Sequence, residues 1–182
     1  MPVDTDFELV KEFLTGDQSA FNKIAAKYQK KIYWHARRMI GNHIDADEIT
    51  QEVLIVLYNK LDTFNFQSKL FTWIYKITST RSLNYIKRKK VKRFLFLDDE
   101  NVKEIQSNSD IIQNLESKEK IEKLDKILQK IPEKQREVFI MRQFDELNYS
   151  EIAEITNKST GALKANYFHA LKKVTEMMEN EE

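Results

Sequence analysis

The sequence contains no cysteine. That excludes a disulfide framework, thiolate-bound zinc and a thiol nucleophile. Glycine and histidine occur three times each, too few for a glycine-rich phosphate loop or an imidazole-rich metal centre. No apolar run approaches the ~18 residues that a membrane span requires. The opening residues Met1-Pro2-Val3-Asp4 are acidic and lack an apolar core, so no secretory signal is expected there. A cytoplasmic protein is the default expectation. An excess of charge of one sign is missing too. The chain has 30 basic and 29 acidic residues and a net charge of +1, which at first sight disfavours a nucleic-acid binder.

What is present points to helices. With only two prolines and three glycines among many Lys, Glu, Leu and Ile, the 182 residues read as an all-α chain. The charge is also unevenly placed. Residues 1–95 hold 17 basic and 10 acidic residues, a net +7; residues 96–120 carry −4, and residues 121–182 carry −2. The polar runs Leu97-Asp98-Asp99-Glu100-Asn101 and Gln106-Ser107-Asn108-Ser109-Asp110 lack helical periodicity. The expected organisation is two small helical domains, 1–94 and 111–182, joined by an acidic, flexible linker at 95–110.

Apolar spacing places the helices. Phe7, Val10, Phe13 and Leu14 give residues 5–15 one apolar face, and Gly16-Asp17 breaks and recaps the chain. Phe21, Ile24, Tyr28, Ile32, Ala36 and Met39 mark a long helix that Gly41 ends. Asp45, with Glu48 three residues on, reads as the capping box of a third helix whose buried stripe is Ile49, Val53, Val56 and Leu57. Residues 62–68 read as a loop. Ser68 reads as the cap of a fourth helix to about Arg88 that carries Leu70, Trp73, Ile74 and Ile77. Beyond the linker, Ile121, Leu124, Leu128 and Ile131 mark a helix starting near Ile111 and stopped by Pro132. Further helices are expected from Glu133 to about Phe144, over Tyr149–Thr156 behind an Asn148/Glu151 capping box, and from Thr160 to about Glu179.

Three features carry chemistry. The short helix, the turn Asn157-Lys158-Ser159 and the longer helix form a helix-turn-helix pattern. Leu163, Tyr167, Ala170, Leu171 and Val174 fall on one face of the second helix. Gly161, Ala162, Ala165, Phe168, His169, Lys172 and Lys173 fall opposite, where small residues let the backbone approach DNA and lysines meet phosphates. An ordinary helical hairpin with a solvated lysine face reads the same way. The run Lys87-Arg88-Lys89-Lys90-Val91-Lys92-Arg93 follows a helix bearing Trp73, Tyr75 and Tyr85. Cations beside aromatics suit phosphates and unpaired bases; a solvated helix end is the alternative. Finally, Asp45, Asp47, Glu48 and Glu52 crowd one helix start. Metal ligation there lacks the partner helices and Glu-x-x-His spacing of carboxylate metal sites. An acidic surface that docks a basic partner remains.

At this point the residues carry a resemblance. Asp45-Ala46-Asp47-Glu48-Ile49-Thr50-Gln51-Glu52-Val53, Tyr58, Leu61-Asp62-Thr63-Phe64 and Phe71-Thr72-Trp73-Ile74-Tyr75-Lys76-Ile77 resemble region 2 of bacterial sigma-70-family factors. The stretches 128–139, Tyr149-Ser150-Glu151-Ile152-Ala153 and Ser159-Thr160-Gly161-Ala162-Leu163-Lys164 resemble region 4. The compact form is similar to the extracytoplasmic function (ECF, group IV) subfamily.

The resemblance implies a non-enzymatic factor without cofactor or catalytic residues, which binds core RNA polymerase at the clamp helices of its largest subunit and its flap region. It implies docking through Asp45, Asp47, Glu48, Gln51 and Glu52. Contact with the melted minus-10 element is implied for the loop Phe64, Asn65, Phe66, Gln67, Ser68 and Lys69, and for Trp73, Lys76, Thr80, Arg81, Asn84, Lys87 and Arg88. Minus-35 duplex contact is implied for Ser159, Thr160, Lys164, Ala165, Phe168, His169 and Lys172. The other expected partners are promoter DNA and an anti-sigma factor. The chain departs from many relatives at Thr80, Ala165 and His169, where Asn, Ser and Arg are frequent. Two other readings stay open: a helix-turn-helix regulator that works without polymerase, and a carboxylate phosphotransfer or metal enzyme.

Overall fold

The computed structural model describes residues 5–95 and 115–179, with the side chains of 5–95 and 122–179. The N-terminal part holds α1 (Thr5–Leu14), α2 (Gln18–Ile40), α3 (His43–Lys60), a short 3₁₀ turn at Leu61–Thr63, and α4 (Leu70–Leu95). The C-terminal part holds α5 (Leu115–Gln129), α6 (Glu133–Gln143), α7 (Tyr149–Thr156) and α8 (Thr160–Glu179). No strand occurs among the described residues. The expected linker at 95–110 lies outside them apart from Leu95, as do the opening four residues and the helix start expected near Ile111.

Local chemistry sets the breaks. Asp17 accepts a 2.8 Å bond from the Ser19 amide and starts α2. Gly41 ends it in the left-handed region at φ +81°, returning its N–H to the Arg37 carbonyl. The expected Asp45 cap is corrected. Asn42, extended directly after Gly41, accepts from the Asp45 amide at 3.0 Å, and α3 begins at His43. Asp45 therefore sits inside the first turn, where its carboxylate reaches Tyr85 and Lys89 of α4. The fourth helix also outruns its expected end near Arg88. Lys and Arg are good helix formers and favour a helix C-terminus, so α4 continues through the basic run. The Asn148/Glu151 capping box forms as expected.

The N-terminal core packs Tyr28, Ile32 and Met39 of α2 against Ile49, Val53 and Leu57 of α3 and Leu70 and Ile74 of α4. Val56, expected in that stripe, is only half-buried. Asp6 pins α1 to α2, accepting from the Tyr28 hydroxyl at 2.6 Å and from Lys27 at 2.5 Å. A second cluster joins Val138, Met141, Leu147, Ile152, Ile155 and Leu163 of the C-terminal part to Tyr75 of α4. Leu171 is exposed rather than buried, and Ile127 joins Leu128 and Ile131 in the core.

The two parts share a joint. Met39 and Ile40 fall in one apolar cluster with Ile127, Leu128, Ile131 and Ile140. Buried Arg136 donates to the carbonyls of Met39 and Ile131 and to the Gln129 side chain. Burial lowers the Arg136 pKa to about 10, partly offset by Glu133. Gln129 donates to the Arg38 carbonyl at 3.1 Å. His35 Nδ1 lies 2.7 Å from Asp145 Oδ2, both side chains being almost wholly enclosed. The Arg38 guanidinium stacks over Phe144, 4.1 Å from the ring centre.

Two predictions follow from this packing. A Cβ at Gly41 would lie 2.7 Å from Gln129 Cγ on a backbone that disfavours L-residues. Gly41→Ala therefore lowers unfolding free energy by at least ~1–2 kcal/mol in urea titration. Burial, then the nearby Asp145 carboxylate, raises the Tyr75 phenol above its ordinary range. The unfolded chain ionises this phenol near pH ~10 while the folded chain keeps its proton, so stability is lost as pH rises above ~10. Tyr75→Phe should flatten that alkaline decline in a pH series of urea titrations.

Candidate nucleic-acid and docking surfaces

Helix α3 turns one face to solvent. Its spacing brings Ile44, Asp47, Glu48, Gln51 and Ile55 into a single exposed stripe, with Ile44 and Ile55 still 56% and 60% exposed. Sequence reasoning singled out the acids and missed the two isoleucines. The remaining acids turn elsewhere: Glu52 accepts from Arg81 at 3.1 Å, and Asp45 lies 3.9 Å from Lys89. Of the five docking candidates, Asp47, Glu48 and Gln51 therefore face outward, while Asp45 and Glu52 brace α3 against α4. Among the described residues, no group of three or more His, Cys, Asp or Glu side chains could hold a metal ion.

The loop between α3 and α4 is a built structure. Phe64 is buried and sits among Phe7, Phe66 and Trp73 at ring-centre distances of 5.9, 5.1 and 5.5 Å. Phe66 adopts φ +58°, a region that bulky side chains avoid, and rests edge-on against Phe7 at 5.3 Å. The Asn65 side chain accepts from the Gln67 amide at 3.1 Å and donates to the Gln67 side chain at 3.2 Å. Asn65, Gln67 and Lys69 are exposed and Ser68 is half-buried. The expected loop set thus divides into an aromatic anchor, Phe64 with Phe66 and Trp73, and a polar rim. Phe7 of α1, more than fifty residues away in the chain, supports it from beneath, a contact with no local sequence pattern.

Along α4, Lys76, Thr80, Asn84, Lys87 and Arg88 are exposed, and Arg81 is half-buried on Glu52. The Thr80 hydroxyl donates to the Lys76 carbonyl at 2.7 Å. The basic run continues α4 as helix, with Lys89 3.9 Å from Asp45 and Lys90 2.8 Å from Glu133. Burial, followed by Asp45, raises the Tyr85 phenol at its base.

The C-terminal pair is a helix-turn-helix. Asn157 takes φ +55° between α7 and α8, and Ser159 Oγ accepts from the Ala162 amide at 3.3 Å. Leu163, Ala170 and Val174 face the core. Ser159, Thr160, Lys164, Ala165, Phe168, His169 and Lys172 are all exposed, with Phe168 62% exposed. Tyr149 supports this face, its ring lying 5.8 Å from the Lys164 ammonium and 4.8 Å from the Arg142 guanidinium.

Comparison with known proteins identifies the family and the fold. Residues 24–91 match the family model for Sigma-70 region 2, and residues 121–174 match that for Sigma-70, region 4. The chain is 32% identical over 162 residues to the ECF RNA polymerase sigma factor SigW of Bacillus subtilis, covering 85% of this chain and 87% of that one. It is 28% identical over 176 residues to the ECF RNA polymerase sigma-E factor of Escherichia coli K12, covering 91% and 90%. Among solved structures, CnrH in complex with the cytosolic domain of CnrY shares the fold with a TM-score of 0.74 at 17% identity, covering 98% of this chain and all of that one. The sigma factor RpoE bound to the anti-sigma factor NepR from Bartonella quintana aligns with a TM-score of 0.67 at 21% identity, covering 87% and 96%. With both region models matched in order and 32% identity to a curated ECF factor over most of its length, this chain belongs to the sigma-70 family, in its ECF group of RNA polymerase sigma factors.

Proposed function

We propose that this chain acts in the cytoplasm as the promoter-reading subunit of RNA polymerase, with residues 1–94 serving polymerase docking and the minus-10 element and residues 111–182 serving the minus-35 element. One observation carries the reading. The exposed α3 stripe, which has no use in binding DNA, stands on the same domain as the cationic α4 and the aromatic-braced loop. A regulator acting without polymerase would leave that stripe idle.

Asp47, Glu48 and Gln51 supply charge and hydrogen bonding toward the basic clamp helices of core polymerase, and Ile44 and Ile55 supply the apolar contact that charge alone lacks. Asp45 and Glu52 act indirectly, by holding α3 on α4. Asn65, Gln67, Ser68 and Lys69 surround an unpaired base, while Phe64 and Phe66 fix the loop so that little ordering entropy is lost on capture. Lys76, Arg81, Lys87 and Arg88 meet the backbone; Trp73, Thr80 and Asn84 flank the strand. Unstacking a base step costs a few kcal/mol, and these contacts offset part of that. The α8 face enters a major groove, where Lys164 and Lys172 take phosphates and Ser159, Thr160, Ala165, Phe168 and His169 approach base edges. Two weak sites on one chain raise each other's effective concentration. The polymerase makes the RNA, and this chain performs no covalent chemistry. The flap region of polymerase and an anti-sigma protein complete the partners.

The direct test is run-off transcription with purified core polymerase on genomic promoter fragments. Initiation at discrete start sites supports the reading, and failure on every fragment contradicts it. Charge reversal at Asp47 and Glu48, and separately Ile55→Ser, should each weaken core binding at least ~10-fold by fluorescence anisotropy. In the complex with core polymerase, Lys164→Ala should weaken duplex binding across all sequences and reduce its log–log salt slope by about one.

A further inference from the structure

Helix α2 carries a row of cations that neither proposed surface uses. Lys27, Lys30, Lys31, Trp34 and Arg38 occupy positions i, i+3, i+4, i+7 and i+11, so they share one face of the helix. Like charges at such spacing repel and cost helix stability, and α2 contains no acidic residue to relieve them. Elsewhere on the helix the cations have acidic partners: Lys23 lies 3.8 Å from Glu12, and Arg37 lies 3.5 Å from Asp125. Within the row only Lys27 has one, Asp6 at 2.5 Å. Among the described residues, Lys30 makes no hydrogen bond or ion pair, and Arg38 makes none either. Lys31 rests only on the Phe71 ring, 5.9 Å from its centre.

The row forms one wall of a cleft of about 590 Å³, and Phe71 and Tyr75 of α4 with Phe144 and Glu146 beyond α6 line the rest. That volume falls in the range of small-molecule sites and far exceeds what an inorganic phosphate needs. Arg38 is its most ordered element. The guanidinium lies over Trp34 at 5.2 Å and over Phe144 at 4.1 Å from the ring centres. Burial pushes it below its ordinary range, and Asp145 and Asp125 act against that shift. A cation is thus held where water solvates it poorly and no carboxylate touches it. A guanidinium fixed flat on aromatic rings offers a planar fork of N–H donors suited to phosphate oxygens. Asp145 does not fill the place, because its side chain is 6% exposed and is held by His35 at 2.7 Å. Glu146 is the one exposed acid among the lining residues.

We propose that this cleft binds a nucleoside polyphosphate, with the phosphates on Lys30, Lys31 and Arg38 and the base against the aromatic wall of Trp34 and Phe71. Three cations without acidic partners call for an anion of more than one charge. The rings beside them call for a planar, partly apolar group joined to that anion, which a bare phosphate lacks. Arg38 and the rings are set by folding, so little ordering beyond the two lysines is required on binding. The site shares no residue with those assigned to polymerase or promoter. It gives the chain a small-molecule input separate from both.

Tryptophan emission tests the assignment locally. The chain has two tryptophans, and Trp73→Phe leaves Trp34 as the reporter in the cleft wall. Guanosine triphosphate and adenosine triphosphate are each titrated into the full chain without divalent metal, and inorganic triphosphate serves as the probe that lacks a base. Calorimetry on the unaltered chain supplies stoichiometry. The expected result is a saturable one-to-one change in Trp34 emission with at least one nucleotide, and binding of inorganic triphosphate at least ~10-fold weaker. Lys30→Ala combined with Lys31→Ala should weaken nucleotide binding at least ~10-fold. Arg38→Lys, which keeps the charge and loses the fork, should weaken it too, and Glu146→Gln should strengthen it. Lys30 and Lys31 are exposed, so their double variant decides the matter if circular dichroism shows that Arg38→Lys does not fold. Absence of saturable binding at millimolar nucleotide overturns the proposal, and so does binding that the lysine pair does not alter. Equal binding of inorganic triphosphate removes the base from the site and overturns it as well. Displacement of the nucleotide by a short DNA duplex at equal phosphate concentration would give the row to nucleic acid and contradict it.

Discussion

A helix ends in carbonyls that it cannot satisfy alone, and in this chain the end of α2 is completed by the other domain. The Met39 carbonyl accepts from Arg136 and the Arg38 carbonyl from Gln129, while Gly41 turns the backbone away at φ +81°. A buried guanidinium at a helix C-terminus is favoured by the helix dipole and opposed by desolvation, so the geometry must be tight for it to hold. Everything downstream inherits that position. Gly41 and Asn42 set the start of α3, α3 presents the acidic stripe, and Arg81 on Glu52 and Lys89 on Asp45 fix α4 against α3.

The same packing links the proposed roles. Asp45 and Glu52 share the acidic helix with the docking residues, yet they point at α4. The proposed docking face and the proposed DNA face therefore share a brace. The loop that precedes α4 is anchored by Phe7, Phe64, Phe66 and Trp73. The cost of ordering it is thus met during folding rather than on meeting DNA. Helix α8 is simpler: its core face is apolar, and its outer face is small, basic or aromatic.

Much of this was legible in the chain itself. Periodicity located the helices, because half-buried helices must alternate faces every three to four residues, and the Asn148/Glu151 box and the Gly41 stop carry their geometry in residue type. The face of α8 could be read because one side of it is buried. Helix α4 was harder: it is apolar on several sides, and its end is set by propensity and charge rather than by a stop residue. The cap at Asn42 was obscured by nearby acids with equal claim to the role. Pairings distant in sequence, such as His35 with Asp145 and Ser79 with Glu137, leave no local pattern. The exposed Ile44 and Ile55 fall outside the apolar stripe expected for α3 and carry no local mark of a surface role. The near-zero net charge is the sum of a +7 N-terminal stretch, −4 over residues 96–120 and −2 over residues 121–182.

The central claim is that one chain presents two distinct DNA-reading surfaces that work only when carried by polymerase. Site-specific photocrosslinkers in place of Gln67 and Phe168, in complexes assembled on a promoter with and without core polymerase, test it most directly. The account predicts that position 67 crosslinks to an unpaired strand and position 168 to upstream duplex, both only when polymerase is present. Crosslinking of both positions to the same duplex in its absence would contradict it.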